Sequence, residues 1–275
     1  MNECFNKNAG GKNFPPAFCL FIFRRMTDDI KTEWTPELDK ENSRAVWAHL
    51  VPFMGWLLMM SLLGDPSGWR YAGQTVGVLI LLLIFRPWRW YEQPKLKSLP
   101  LAVLVGVFVF VIWVGLESAT FKNLLPAVSE FYERWFVDLL HIGKLREPME
   151  LGENGLYHYD PRVTGWPLFW VHMFGTTLVV GMIEEFAFRG FLYRWMQGSP
   201  FFRKDIGVMN WKMCLLVAVL FALEHNEWLM GFFCGILYTW LMVKTRDIWA
   251  AVFAHALTNG LLGWYAVHTG FYWFW

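Results

Sequence analysis

Apolar residues in this chain come in long runs separated by short polar stretches, a pattern that places whole helices in lipid. A hydrocarbon core of about 30 Å takes about 20 apolar residues per helix, and that criterion predicts about seven spans. Their cores fall at 45–63, 71–85, 99–116, 166–189, 211–224, 229–243 and 248–267. Several are short, so tilt, bending or flanking residues must complete them. The predicted fold class is all-α, a polytopic transmembrane helix bundle of about seven to eight spans.

The pattern also divides the chain. Residues 1–44 form a polar leader, 45–117 N-terminal transmembrane helices, 118–165 an external loop, and 166–275 a transmembrane core. Within the leader, 18–23 is apolar but closes on Arg24 and Arg25, too short for a span and weak as a secretory signal, so no cleaved signal is expected. Met26 opens a polar stretch, which makes residues 1–25 a disordered tail or a mis-assigned start. In the external loop, Leu124, Val128, Phe131, Trp135 and Leu139 recur at helical spacing with Glu130, Glu133 and Arg134 between them. That spacing predicts an amphipathic helix lying on the membrane surface.

Charge adds orientation. Lys40 and Arg44 precede the first span; Arg86, Arg89, Lys95 and Lys97 follow the second. Arg194, Arg203, Lys204 and Lys212 follow the fourth, and Lys244 with Arg246 follow the sixth, whereas 64–69 and 226–228 carry no Lys or Arg. The basic ends are expected to be cytoplasmic, with a cytoplasmic N-terminus and a bacterial inner membrane as the setting. Composition agrees, with 56% hydrophobic and 17% charged residues and a mean hydropathy of +0.31. Aromatic residues gather where apolar runs end, as at Trp88, Trp90 and Tyr91, in the manner of interfacial belts. A net charge of +1 without a basic face excludes nucleic acid as a partner. Cys4, Cys19, Cys214 and Cys234 have no paired spacing, so neither a disulfide framework nor a thiolate metal site is expected.

Ionisable residues inside spans are costly and usually face a polar cavity within the bundle. Three such clusters occur late in the chain. Glu184 and Glu185 precede Arg189; Glu185 and Arg189 stand four apart, a favourable ion-pair spacing, while Glu184 points about 100° away. A carboxylate left without that partner in an apolar bundle is placed to act as a general base. The second cluster, Phe221 to His225, sets an aromatic floor beside an imidazole. The third sets His255 and Asn259 four apart on one helix face. At 1.5 Å rise per residue from the basic ends, Glu184, His255 and His225 lie roughly 15, 13 and 21 Å deep, close enough to meet with ordinary tilt. The alternative for each is a structural helix-to-helix hydrogen bond; two histidines with a spare glutamate favour a shared site.

Glu-Glu-x-x-x-Arg, Phe-x-x-x-His and His-x-x-x-Asn, in this order on consecutive late spans, resemble the CAAX prenyl endopeptidase and bacteriocin-processing (CPBP) family of glutamic intramembrane proteases. The likeness runs from Gly181 to about Gly260. It implies an intramembrane endopeptidase acting on a membrane-associated protein or peptide, without a cofactor. Glu184 with His225 would activate a water, His255 and Asn259 would stabilise the oxyanion, and Glu185, Arg189 and Phe221 would support them. Glu224 and Glu227 add acids beside the second motif.

Two rival readings remain. Two histidines and a glutamate suit zinc, but a helical zinc-protease motif needs a second His where Leu229 stands, so ligands would have to come from separate helices. A non-enzymatic immunity or scaffold protein is the other; a carrier is disfavoured because no paired inverted repeat is present.

Overall fold

The computed structural model describes residues 34–63, 68–115, 119–139, 156–157, 159–225 and 227–272. The leader through residue 33, with Cys4 and Cys19, lies outside them, as does Asn226. Among the described residues every regular element is helical. The long helices are α1 (Pro36–Leu63), α2 (Gly68–Phe85) and α3 (Leu99–Gly115). Two short helices follow, α4 (Ala119–Leu124) and α5 (Pro126–Tyr132). The core then contains α6 (Trp166–Trp195), α7 (Trp211–Ala222), α8 (Trp228–Thr245) and α9 (Ile248–Thr269).

Each predicted span is helical among the described residues, with boundaries that differ for physical reasons. Helix α1 starts inside the stretch taken as leader, at Pro36, with Glu37 and Asp39 in its first turn where the helix dipole favours acids. Helix α6 runs on to Trp195. Helix α7 stops at Ala222, so Glu224 and His225 occupy a turn and not the helix expected there. Among the described residues five helices, α1, α2, α3, α6 and α8, are long and apolar enough to cross a membrane. Helix α7 has only 12 residues, and α9, with 22, is long but diluted by His255, Thr258 and Asn259. The chain is an integral membrane protein, its lipid-facing surface marked by exposed side chains such as Leu58, Ile80, Leu104 and Phe108.

Helical structure is present between α3 and α6 where the amphipathic spacing predicts it, but it is broken. Leu125 separates α4 from α5, where Pro126 restarts the helix, and α5 continues as a wider π-helical stretch, Glu133–Leu139. Leu124, Val128, Phe131, Trp135 and Leu139 are all exposed, as an apolar face on a membrane surface would be.

Helix α9 is central, packed on α3, α8 and the middle of α6, while α7 pairs with α8 and α1 with α2. Small residues set these approaches. A Cβ at Gly106 of α3 would stand 2.7 Å from the Ala254 carbonyl oxygen of α9. A Cβ at Gly235 of α8 would stand 2.7 Å from Cα of Ala218 on α7. Gly231 and Gly235 form a small-xxx-small face on which α7 lies, the device by which membrane helices gain packing contact without a hydrophobic drive. Substituting Gly235 with Val should therefore lower thermal stability in detergent, by about 1–3 kcal/mol for overpacking. Gly73→Ala, whose Cβ would meet nothing within 4 Å, should leave the melting temperature unchanged or slightly raised.

Candidate active site

The middle of α6 departs from regular α-helix on both sides of Glu184. Gly175–Val180 and Phe186–Leu192 are π-helical, and the five residues Gly181–Glu185 between them are α-helical. Such wider turns are frequent at functional sites because they redirect side chains without ending the helix. Glu184 and Glu185 leave this short segment in different directions and approach opposite edges of the His255 ring.

Glu185 is fully buried. Its Oε1 accepts from Arg189 Nη1 at 3.0 Å and lies 2.8 Å from His255 Nδ1. The guanidinium of Arg189, also fully buried, rests over the Phe221 ring with Cζ 4.0 Å from its centre. Arg189, Glu185 and His255 are thus a chain of charge-assisted contacts joining two turns of α6 to α9, with the α7 ring as its cover. Tyr238 of α8 stacks on the His255 ring at 5.1 Å. Its hydroxyl donates to Thr258 Oγ1 at 2.9 Å, and the Thr258 hydroxyl reaches the Gly106 carbonyl at 3.0 Å.

Glu184 takes the other direction, into a cavity of about 330 Å³. His225, His255, Asn259 and Phe221 line the same cavity, so the four residues proposed from the sequence for chemistry come together with their aromatic neighbour. Oε2 of Glu184 stands 3.8 Å from His255 Nε2, is buried, and has no hydrogen-bond partner among the described residues. Because Nδ1 of His255 is engaged by Glu185, its Nε2 edge is the one turned to Glu184. His225 is held from its turn by Nδ1 against the Phe221 carbonyl at 2.8 Å, its ring 4.5 Å from Phe221 and 5.7 Å from Trp113. Asn259 Nδ2 donates to the Thr176 carbonyl at 2.9 Å, fixing the amide against the first wide stretch of α6 and leaving a second N–H on the same nitrogen. Phe221, expected as a floor beside His225, also touches Arg189 and faces His255 at 6.0 Å.

Several residues of the site had not been singled out. Tyr71 and His172 line the far part of the cavity, the His172 ring 4.1 Å from those of Tyr71 and Tyr159. His172 had a signal in the sequence, being an ionisable residue within an apolar run. The contact of Glu185 with His255 had none, since the two are 70 positions apart. As for metal, among the described residues no three His, Cys, Asp or Glu side chains are grouped so as to hold an ion.

Residues 166–261, which include all of these motifs, match the family model described as Type II CAAX prenyl endopeptidase Rce1-like. This part of the chain is an Rce1-like domain. It falls within the CAAX protease family, so the chain carries a membrane-embedded protease domain, a hydrolase acting on protein or peptide. No curated protein and no solved structure matches the chain.

Breaking the buried pair is the sharpest test of how the Rce1-like domain is held. Arg189→Met leaves the Glu185 carboxylate without its counter-ion and should cost about 3–5 kcal/mol. The double variant Arg189→Met/Glu185→Gln should cost less than the sum of the single changes, as read from unfolding in mixed micelles.

Proposed function

We propose that the chain is an intramembrane endopeptidase in which Glu184 is the general base and no metal takes part. The observation that supports this most is the convergence of Glu184, His225, His255 and Asn259 on one cavity, with a carboxylate oxygen of Glu184 unpartnered there. A water held between Glu184 and His225 gives a proton to the Glu184 carboxylate as its oxygen attacks the scissile carbonyl carbon. The carbonyl oxygen becomes an oxyanion, stabilised by a proton carried on His255 Nε2 and by the second N–H of Asn259. Collapse breaks the C–N bond, and the proton held by Glu184 passes to the leaving nitrogen, giving a carboxylic acid and an amine. Glu185 sets the His255 ring and Arg189 holds Glu185, so both position and neither touches substrate.

The substrate in this reading is a membrane-associated protein or peptide, entering from the bilayer of a bacterial inner membrane with the N-terminus of the enzyme in the cytoplasm. Purified protein should cleave such a substrate in detergent, and Glu184→Gln should lower the rate by at least about a thousandfold, about 4 kcal/mol of transition-state stabilisation. Its melting temperature should stay near that of the wild type. Full activity in this variant, or activity lost on exhaustive chelation and restored by Zn²⁺, would refute the assignment. Wild-type behaviour of the variant in a bacteriocin immunity assay, with no cleavage by either form, would favour the scaffold reading.

A further inference from the structure

The basic end of the bundle holds another cavity, of about 240 Å³, which the proposed reaction does not use. Each acid on its lining is already committed. Glu92 meets Lys95 Nζ at 2.8 Å, and Asp205 meets Arg246 Nη2 at 2.6 Å. Asp247 accepts from the backbone N–H groups of Lys95 and Trp249, both at 3.0 Å, and so caps α9. Arg194 lines the same cavity and is held differently. It is 4% exposed, and its Nη2 donates to the carbonyls of Phe202 and Lys204 at 2.9 and 2.8 Å. Carbonyls are dipoles and leave the charge uncompensated. Its Nε and Nη1 are buried without a hydrogen-bond partner among the described residues. The Tyr91 hydroxyl beside the guanidinium is engaged by His49 Nε2 at 2.9 Å.

Lys95 and Asp247 also wall an apolar groove of about 240 Å³ between α3, α6 and α9. Leu99, Leu178 and Phe253 of its lining are exposed, so it opens on the lipid-facing surface. On α9 the lining runs from Trp249 to Ala256, about 10 Å at the rise of a helix. Trp249 Nε1 donates to the Glu92 carbonyl at 3.0 Å, which ties a wall of the groove to a wall of the basic cavity. A guanidinium offers paired donors to phosphate oxygens, and basic pockets between membrane helices hold anionic headgroups. A soluble phosphate ester would leave the groove empty, and a zwitterionic headgroup brings no net charge to offset Arg194.

We propose that an anionic phospholipid docks at the basic end of the bundle, its phosphate against Arg194 and an acyl chain in the groove between α3, α6 and α9. Neither half of this site depends on the endopeptidase reading. The test uses the purified full chain, stripped of lipid in detergent, and native mass spectrometry of its adducts with phosphatidylglycerol or phosphatidylcholine of identical chains. Phosphatidylglycerol should be retained at least about tenfold more tightly. Glycerol phosphate, a headgroup without chains, should not displace it. Arg194→Gln should narrow the ratio between the two lipids. Asp205→Asn keeps an acceptor for the Gly207 N–H while releasing Arg246, and should widen the ratio. Leu178→Trp should fill the groove and weaken both lipids together. Should Arg194→Gln lose its melting transition, Asp205→Asn and Leu178→Trp, both at exposed positions, carry the test. Equal retention of the two lipids by the wild type would overturn the proposal, as would a ratio that Asp205→Asn leaves unchanged. Displacement by glycerol phosphate, with retention unaffected in Leu178→Trp, would overturn it in favour of a soluble phosphate ester.

Discussion

A guanidinium and a carboxylate, both wholly withdrawn from solvent, meet inside the helix bundle at Arg189 and Glu185. Placing either charge alone in such surroundings is prohibitive, so each is tolerable only with the other, with the Phe221 face beneath the guanidinium and with the His255 imidazole on the carboxylate. The geometry around the cavity follows from that constraint. Helix α9 must present His255 to α6, α7 must bring Phe221 under Arg189, and α8 must bring Tyr238 against the imidazole. The adjacent Glu184, excluded from the network by its direction on the helix, is the carboxylate left for the cavity.

Much of the fold was legible because lipid enforces a simple rule: a backbone in hydrocarbon must bond to itself, so an apolar run of sufficient length is a helix. The same rule flagged Glu184, His255 and Asn259, whose polarity stands out against such runs. What the runs did not disclose was where polarity ends a helix and where it merely interrupts one. Glu224 and His225 were read onto the span that precedes them, but the helix ends at Ala222 and His225 reaches its place from the turn that follows. The break at Leu125 followed from Pro126, a local signal outweighed by the apolar periodicity on either side. The contact of Glu185 with His255, and the stacking of Tyr238 upon that ring, depend on which helices are neighbours, and hydropathy carries no information on that point.

Helix neighbours are chosen here by what is missing from side chains. The α3–α9 contact closes because Gly106 offers no Cβ to the Ala254 carbonyl, and that closeness lets Thr258 reach the Gly106 carbonyl and receive Tyr238. At the α7–α8 contact, Gly231 lies against Ala222 and the His225 ring. Gly106 thus meets the residue before His255, and Gly231 meets both His225 and the residue after Phe221, whose carbonyl holds His225. Van der Waals packing between helices and the placement of the polar groups are in this sense one problem.

The two widened stretches of α6 have a consequence for how that helix tolerates change. A π-helical stretch accommodates an additional residue in nearly the same length of axis and, because its turns are wider, in nearly the same rotation. Loss of one residue from 175–180 with a return to regular α-helix would therefore leave Glu184 and Glu185 close to their present phase. A deletion from the α-helical residues 181–183 has no such slack and would turn everything on one side by about 100° relative to the other. A sequence comparison that scores only which side chains are retained would treat the two deletions alike.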